Sequence, residues 1–522
     1  MINYDLDKLS LEEKIGQLIV FGFDALTVND HAIELIKKYK AGNVILFARN
    51  IESPEQLFKL NQNLQKLALE TLNIPLFICI DQEGGMVTRI KNGGTFFPGA
   101  MTLAASNKSK NSYISGKLMG EELKALGINM NLAPSLDVNN NPHNPVIGVR
   151  SFSDDVQIVS QYGLENINGL QENVIATAKH FPGHGDTSID SHLDLPKIDK
   201  DFDSLDNLEL VPFKNAIKNG VKAIMSSHIN FPAITEDGLP TTLSKNCLTG
   251  LLRNQLNFSG LIITDCMQMK AIQTYYTTKK GTLMAIKAGA DLVCISHASE
   301  LQIESIEYLI ESVLNHDLSM EVVDDRVKRI LDFKKENIQL NLDKSYEDVQ
   351  SIIENETSKS FALSVVRQGL TLVQGKKVSL NQKTLLIASE PISTTVADED
   401  DGQYSIIKAV NKELPNLHTM KVSVELSSQE INEIIKKSKE YDQVVFCSYN
   451  ANIYHHQKVL IKKLNDMLDL HVIAMRNPYD SFFVKNIKNL TLLYEYTPNS
   501  IKVLIEYLKE EITPQGVCPV KL

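Results

Sequence analysis

The run VIATAKHF, residues 174–181, passes directly into PGHGDTSIDSH, residues 182–192. Its first five positions are apolar or β-branched and hold no turn residue, which suits a strand buried on both faces. The character then changes at once. Lys179 and His180 close the strand, and the loop beyond adds His184, Asp186, Asp190 and His192 among glycines, serines and a threonine. A buried strand that ends in titratable side chains fits a parallel α/β sheet, where sites form at the C-terminal strand ends.

Seven more runs of this kind lie in the first 300 residues: QLIVFGF (17–23), NVILF (43–47), PLFICID (75–81), INMNLAPSLDV (128–138), VKAIMSSHI (221–229), GLIITDCM (260–267) and ADLVCIS (290–296). Between them, segments such as HAIELIKKYK and SPEQLFKLNQNLQKLALE space Leu, Ile and Phe at helical intervals. Near-continuous apolar strands separated by helices imply a parallel sheet covered by helices. Eight such units predict a (β/α)8 TIM barrel, with a doubly wound open sheet as the alternative. Asp81, Asp137, Lys179, His180, His228, Asp265 and His297 each stand at or just after the C-terminal end of a run. In a barrel those ends converge on one mouth.

A second series follows: LTLVQ (370–374), TLLIAS (384–389), HTMKVSVE (418–425), QVVFCSY (443–449), HVIAMRN (471–477) and LTLLYEY (490–496). With helical segments such as SQEINEIIKKSKE between them, these predict a smaller αβα sandwich domain over 361–522. The barrel then occupies 1–340, and 341–360 reads as a helical linker. No glycine-rich phosphate loop follows the later strands, so a nucleotide domain is unsupported.

The 522 residues exceed what one core usually supports, and 43% apolar with 22% charged residues is ordinary for a globular protein. A net charge of −11 argues against a nucleic-acid or anionic-membrane partner. The start, MINYDLDKLSLEEKIGQ, lacks the basic and apolar regions of an export signal, and its leading Met argues against a processed end. Six scattered cysteines fit reduced thiols better than a disulfide framework or zinc site. A cytoplasmic location is the expectation.

Several chemistries are open at the strand ends. Asp265, in IITDCMQMKAI, is a nucleophile, base or ligand, or else the N-cap of the next helix. Asp190 and His192 form an Asp-x-His pair suited to general acid/base work, or a solvated loop pair. A metal held by His180, His184, Asp186, Asp190 and His192 lacks any HExxH or paired CxxC spacing. Lys179 is a Schiff-base lysine if desolvated, or a cation that binds substrate hydroxyls in a polar surround. In DQEGGMVTR (81–89), Asp81 and Arg89 grip a polyhydroxylated ligand, brace their loop as an ion pair, or both. Arg150, in NPVIGVRSFSDD, reaches the mouth or ties its loop down. His228 reads as a buried, satisfied strand-end residue, and His455 and His456 as exposed loop residues.

Taken together, KHFPGHGDTSIDSH, DQEGGMVTR, NPVIGVRSF and IITDCMQMKAI resemble glycoside hydrolase family 3, specifically its β-N-acetylglucosaminidase branch, in order across roughly residues 10–335. The resemblance implies a retaining enzyme without metal or other cofactor that removes non-reducing N-acetylglucosamine from peptidoglycan fragments, where N-acetylmuramic acid follows. It implies Asp265 as nucleophile and His192, held by Asp190, as general acid/base. Asp81, Arg89, Arg150, Lys179 and His180 would bind the terminal sugar. It also implies a barrel complete in itself for catalysis. Met86 departs from the arginine that many relatives carry at that place. A neutral histidine base repels an anion less than a carboxylate does, so a phosphorylase is one alternative. A β-glucosidase, a Lys179 lyase and a non-catalytic sugar-binding protein are the others.

Overall fold

The structure, a computed structural model, describes residues 2–187, 195–236, 238–353, 355–389 and 404–522. Eight strands follow the eight runs: β1 Ile19–Phe21, β2 Asn43–Leu46, β3 Phe77–Ile80, β4 Met130–Asn131, β5 Ile175–Phe181, β6 Ala223–Ser226, β7 Leu261–Thr264 and β8 Val293–Ile295. They are parallel and neighbour one another in sequence order, with β8 paired to β1 through Ile19↔Val293. Between β7 and β8 the ring closes through the Ile263↔Leu292 bridge and the 3.0 Å bond from Thr264 N to Leu292 O. The barrel is therefore the architecture, not the open sheet.

The helices around it start and stop where the sequence instructs. Helix Pro54–Leu72 begins on Ser53, whose hydroxyl accepts from Gln56 N, with Pro54 in the first turn. It ends at Asn73, which takes the left-handed conformation at φ 55°. Leu57, Leu60, Leu64, Ala68 and Leu72 bury one face at intervals of three and four.

The fourth strand is shorter than its apolar run. Only Met130–Asn131 pair as strand. Pro134, cis to Ala133, has no N–H to donate, and the chain rejoins the ladder at the single Ser135↔Lys179 bridge. The remainder of 132–155 becomes a long loop over the barrel mouth.

The second sheet contains β9 Thr371–Gln374, β10 Thr384–Ser389, β11 His418–Val422, β12 Gln443–Ser448, β13 Asp469–Ala474 and β14 Asn489–Leu492, in the order β11-β10-β12-β13-β14-β9. Only β9 runs antiparallel to its neighbour. Its side chains divide with period two. Leu385, Ile387, Val444 and Phe446 pack with Ile431 and Leu460 on one face, while Leu386, Ala388, Val445 and Cys447 pack with Val410 and Leu504 on the other. This is an αβα sandwich.

Two local expectations differ. Within 341–360, helix occupies Gln350–Ile353 and resumes at Glu356, while 338–349 is irregular and turn-like rather than helical. Asn341, Lys344 and Tyr346 carry turn bonds there instead of a helical ladder. His455 and His456 are exposed, yet they open helix His455–Met467 rather than sitting in a loop. Among the described residues, no helix is long and apolar enough to cross a membrane.

Candidate active site

The C-terminal ends of the barrel strands surround a cavity of about 480 Å³. Asp81, Arg89, Arg150, Lys179, His180 and Asp265 all line it. Asp190 and His192 lie outside the described residues. His184, which begins the stretch leading to them, is in the cavity wall.

Lys179 closes β5 and is 2% exposed. Its Nζ lies 2.7 Å from Asp81 Oδ1 and 2.7 Å from Glu83 Oε1. Glu83 in turn receives two bonds from Arg150, Nε to Oε2 at 3.0 Å and Nη2 to Oε1 at 2.7 Å. Two carboxylates and two cations thus alternate in a buried chain. Burial alone would raise the Glu83 carboxyl, but Arg150 and Lys179 hold it well below the usual carboxylate range. Burial likewise opposes charge on Lys179, yet Asp81 and Glu83 hold the amine above its ordinary value. An amine kept protonated has no lone pair for imine formation, so the Schiff-base alternative loses its nucleophile. Arg89 lies with Nη2 4.0 Å from Asp81 Oδ2, while its backbone N donates to Gln82 Oε1 at 2.7 Å.

His180 is oriented from behind. Its Nδ1 donates to Asp137 Oδ2 at 2.7 Å, which leaves Nε2 directed toward Arg150 Nη2 at 3.5 Å. Asp137 is fully buried and also accepts from the backbone N of His180 and His184, at 3.2 and 2.6 Å, and from Ser135 Oγ at 2.9 Å. Burial would raise it, but His180 and these bonds hold it at about 2. Burial and the neighbouring His180 lower His184 to about 4 against the pull of Asp137, so this imidazole is neutral near pH 7. Its Nδ1 meets Thr187 Oγ1 at 2.9 Å.

Asp265 follows β7 and accepts from Cys266 N at 2.7 Å on Oδ1. It does not cap a helix: the next one, Lys270–Tyr276, has Met269 at its N-cap. Asp265 instead lines the cavity.

Other expectations are redistributed. His228 is buried between Thr242 Oγ1 at 2.9 Å and Cys266 O at 3.0 Å, away from the cavity lining. Asp186, a candidate metal ligand in the sequence, instead pairs with Lys200 at 2.7 Å and is not among the residues lining the cavity. Among the described residues no three His, Cys, Asp or Glu side chains group as a metal site. Sequence reasoning missed Glu83, two residues after Asp81 in DQEGGMVTR, and gave Asp137 no role beyond its strand-end position. It also missed Phe47 and Arg49 in the cavity lining, where the Arg49 guanidinium lies 4.4 Å over the Phe47 ring and the expected His297 sits with its ring 5.3 Å from that of Phe47. The available signal was positional, since Phe47 and Arg49 follow β2.

The chain's likenesses agree with this arrangement. The pattern of the glycosyl hydrolase family 3 N-terminal domain matches residues 10–333. A beta-hexosaminidase A of Pseudoalteromonas piscicida is 39% identical over 276 residues, 50% of this chain and 46% of that protein. The match thus spans about half the length of that curated relative. A beta-hexosaminidase of Nitrosomonas eutropha is 35% identical over 49% of this chain and 73% of its own length. The solved structure of a family 3 beta-N-acetylglucosaminidase from a Paenibacillus species is 36% identical with a TM-score of 0.90, covering 98% of this chain and 99% of that one.

Proposed function

The chain belongs to glycosyl hydrolase family 3, and from that premise we propose that it is a retaining exo-β-N-acetylglucosaminidase. The observation that carries this is that Asp265 lines one cavity together with Asp81, Lys179, Arg150, His180 and His184. The names of relatives 35–39% identical support a 2-acetamido sugar.

In this reading Asp81 accepts from sugar hydroxyls, with Lys179 and Arg89 beside it. Arg150 and His180 Nε2 present donors and an acceptor to the same ring. Asp265 attacks the anomeric carbon while His192, protonated and held by Asp190, gives its proton to the departing oxygen. Neutral His192 then takes a proton from water, which breaks the glycosyl–Asp265 bond and retains the configuration. The substrates are small peptidoglycan fragments with N-acetylglucosamine before N-acetylmuramic acid, met in the cytoplasm of a bacterial cell.

Release of nitrophenol from the N-acetyl-β-glucosaminide tests this. Asp265→Ala should lose roughly a thousandfold or more in kcat. His192→Ala should lose most turnover, but less on aryl substrates, whose leaving groups need little protonation. A wild type that prefers the plain β-glucoside, or releases sugar-1-phosphate in phosphate buffer, would move the reading to those activities.

A further inference from the structure

Arg150 and Glu83 stand in the barrel cavity, but the loops that carry them are fastened from outside the barrel. Asn477, just after β13 of the second sheet, is buried and accepts from Val149 N on Oδ1 at 3.2 Å. Its amide lies against Gly148, where a Cβ would fall 2.4 Å from Asn477 Oδ1. Gly148 opens the 3-10 turn Gly148–Arg150 and has φ 45°, so it supplies both the close approach and the left-handed backbone. Asn452 donates to Pro142 O at 3.1 Å, and Asn139 donates to Tyr479 OH at 2.5 Å. The same loop also reaches the histidine-rich stretch. Asn144 Nδ2 donates to His184 O and Gly185 O at 2.8 and 2.9 Å, while its Oδ1 accepts from Val146 N and Ile147 N.

We propose that Asn477 of the αβα sandwich is a positioning residue for the sugar site, acting through the Gly148–Arg150 turn to set the guanidinium of Arg150. This rests on the glycosidase reading above and departs from a barrel complete in itself. The physical reason is that Val149 N, in the middle of the turn, finds its acceptor in the other domain. Within its own loop Arg150 N bonds Ile147 O at 2.9 Å and Arg150 Nη1 reaches Val146 O at 3.4 Å, while the shorter guanidinium bonds run to Glu83 of another loop. The Asn477 amide fixes where the turn sits, and the Glu83 carboxylate then fixes where the guanidinium points.

The test uses the full chain and the nitrophenyl N-acetyl-β-glucosaminide. Asn477→Ala should raise KM by ~10-fold with kcat within about threefold of wild type. Asn477→Asp keeps an acceptor for Val149 N, so KM should return to within about threefold. In an Arg150→Ala background, Asn477→Ala should change KM by less than about twofold, because nothing remains to position. Gly148→Ala presses on the same contact from the barrel side and carries the test should Asn477→Ala not fold. An unchanged KM in Asn477→Ala, no rescue by Asp, or full additivity with Arg150→Ala overturns the proposal. A wild type without turnover on any nitrophenyl glycoside overturns the activity on which it rests instead.

Discussion

At 2.7 Å from both Asp81 and Glu83, the Lys179 ammonium is one member of a group of four charges that is buried except for Asp81, whose side chain is 17% exposed. Such groups hold because each member loses its water only in the presence of opposite charge. Glu83→Gln removes one anion and leaves Lys179 and Arg150 sharing a neutral amide, a change expected to cost about 3–5 kcal/mol. Urea unfolding at neutral pH should show it as a lower midpoint with an unchanged slope. A midpoint equal to wild type would mean that the charges are held by something other than their pairing. Asp265 and Lys179 were legible because an apolar run points at each. Glu83 was not, since its partners lie 67 and 96 positions away in the chain and no spacing rule joins them. Asp137 was visible as a strand-end carboxylate, but its service to His180 depends on a loop geometry that sequence does not encode locally.

The strands were legible because burial leaves an apolar run; β1–β12 lie within such runs, while β13 and β14 start two residues and one residue before theirs, at Asp469 and Asn489. Their lengths were less so, because Pro134 ends β4 early and the freed segment becomes the loop that carries Arg150. In the second sheet the end of β12 is tied to the short helix Asp480–Phe483 by a bond from Ser448 Oγ to Asp480 Oδ2. Burial raises this aspartate to about 7. An unfolded chain releases that proton near pH 4, so between about pH 4 and 7 the folded state binds more protons than the unfolded one. The contribution is therefore favourable at pH 4 and is lost as pH rises toward 7. Asp480→Asn keeps an acceptor for Ser448 without the charge. It should raise Tm by ~2 °C or more at pH 8 and leave it nearly unchanged at pH 4. Glu122, also raised to about 7 by burial, keeps its own slope in both proteins. An equal Tm difference at the two pH values would contradict this account of Asp480.

Across the whole chain, the joint between barrel and sandwich is built from buried polar contacts rather than from apolar surface alone. Glu495, 1% exposed, follows β14 and accepts from Gly99 N at 2.9 Å and Thr102 Oγ1 at 2.7 Å on the barrel side, and from Thr497 Oγ1 at 2.8 Å on its own. Nearby, Tyr496 N donates to Met86 Sδ at 3.1 Å, so Met86 is a docking contact between the two units. Sequence could divide the chain into units at 1–340 and 361–522, which remain our proposed limits, because each has its own series of strands. It could not show that they share these bonds, since Glu495 and Gly99 are 396 positions apart. Calorimetry of the wild type should therefore give one cooperative transition, as the loss of either unit strands polar groups on the other. Glu495→Ala leaves the Gly99 N–H and two threonine hydroxyls without this acceptor, at about 1–3 kcal/mol for each that water cannot reach. The expected result is a lower Tm and separation into two transitions, with Glu495→Gln retaining a single one. Two transitions already in the wild type would mean that the units melt independently, while one undiminished transition in Glu495→Ala would place the coupling in the apolar contacts instead.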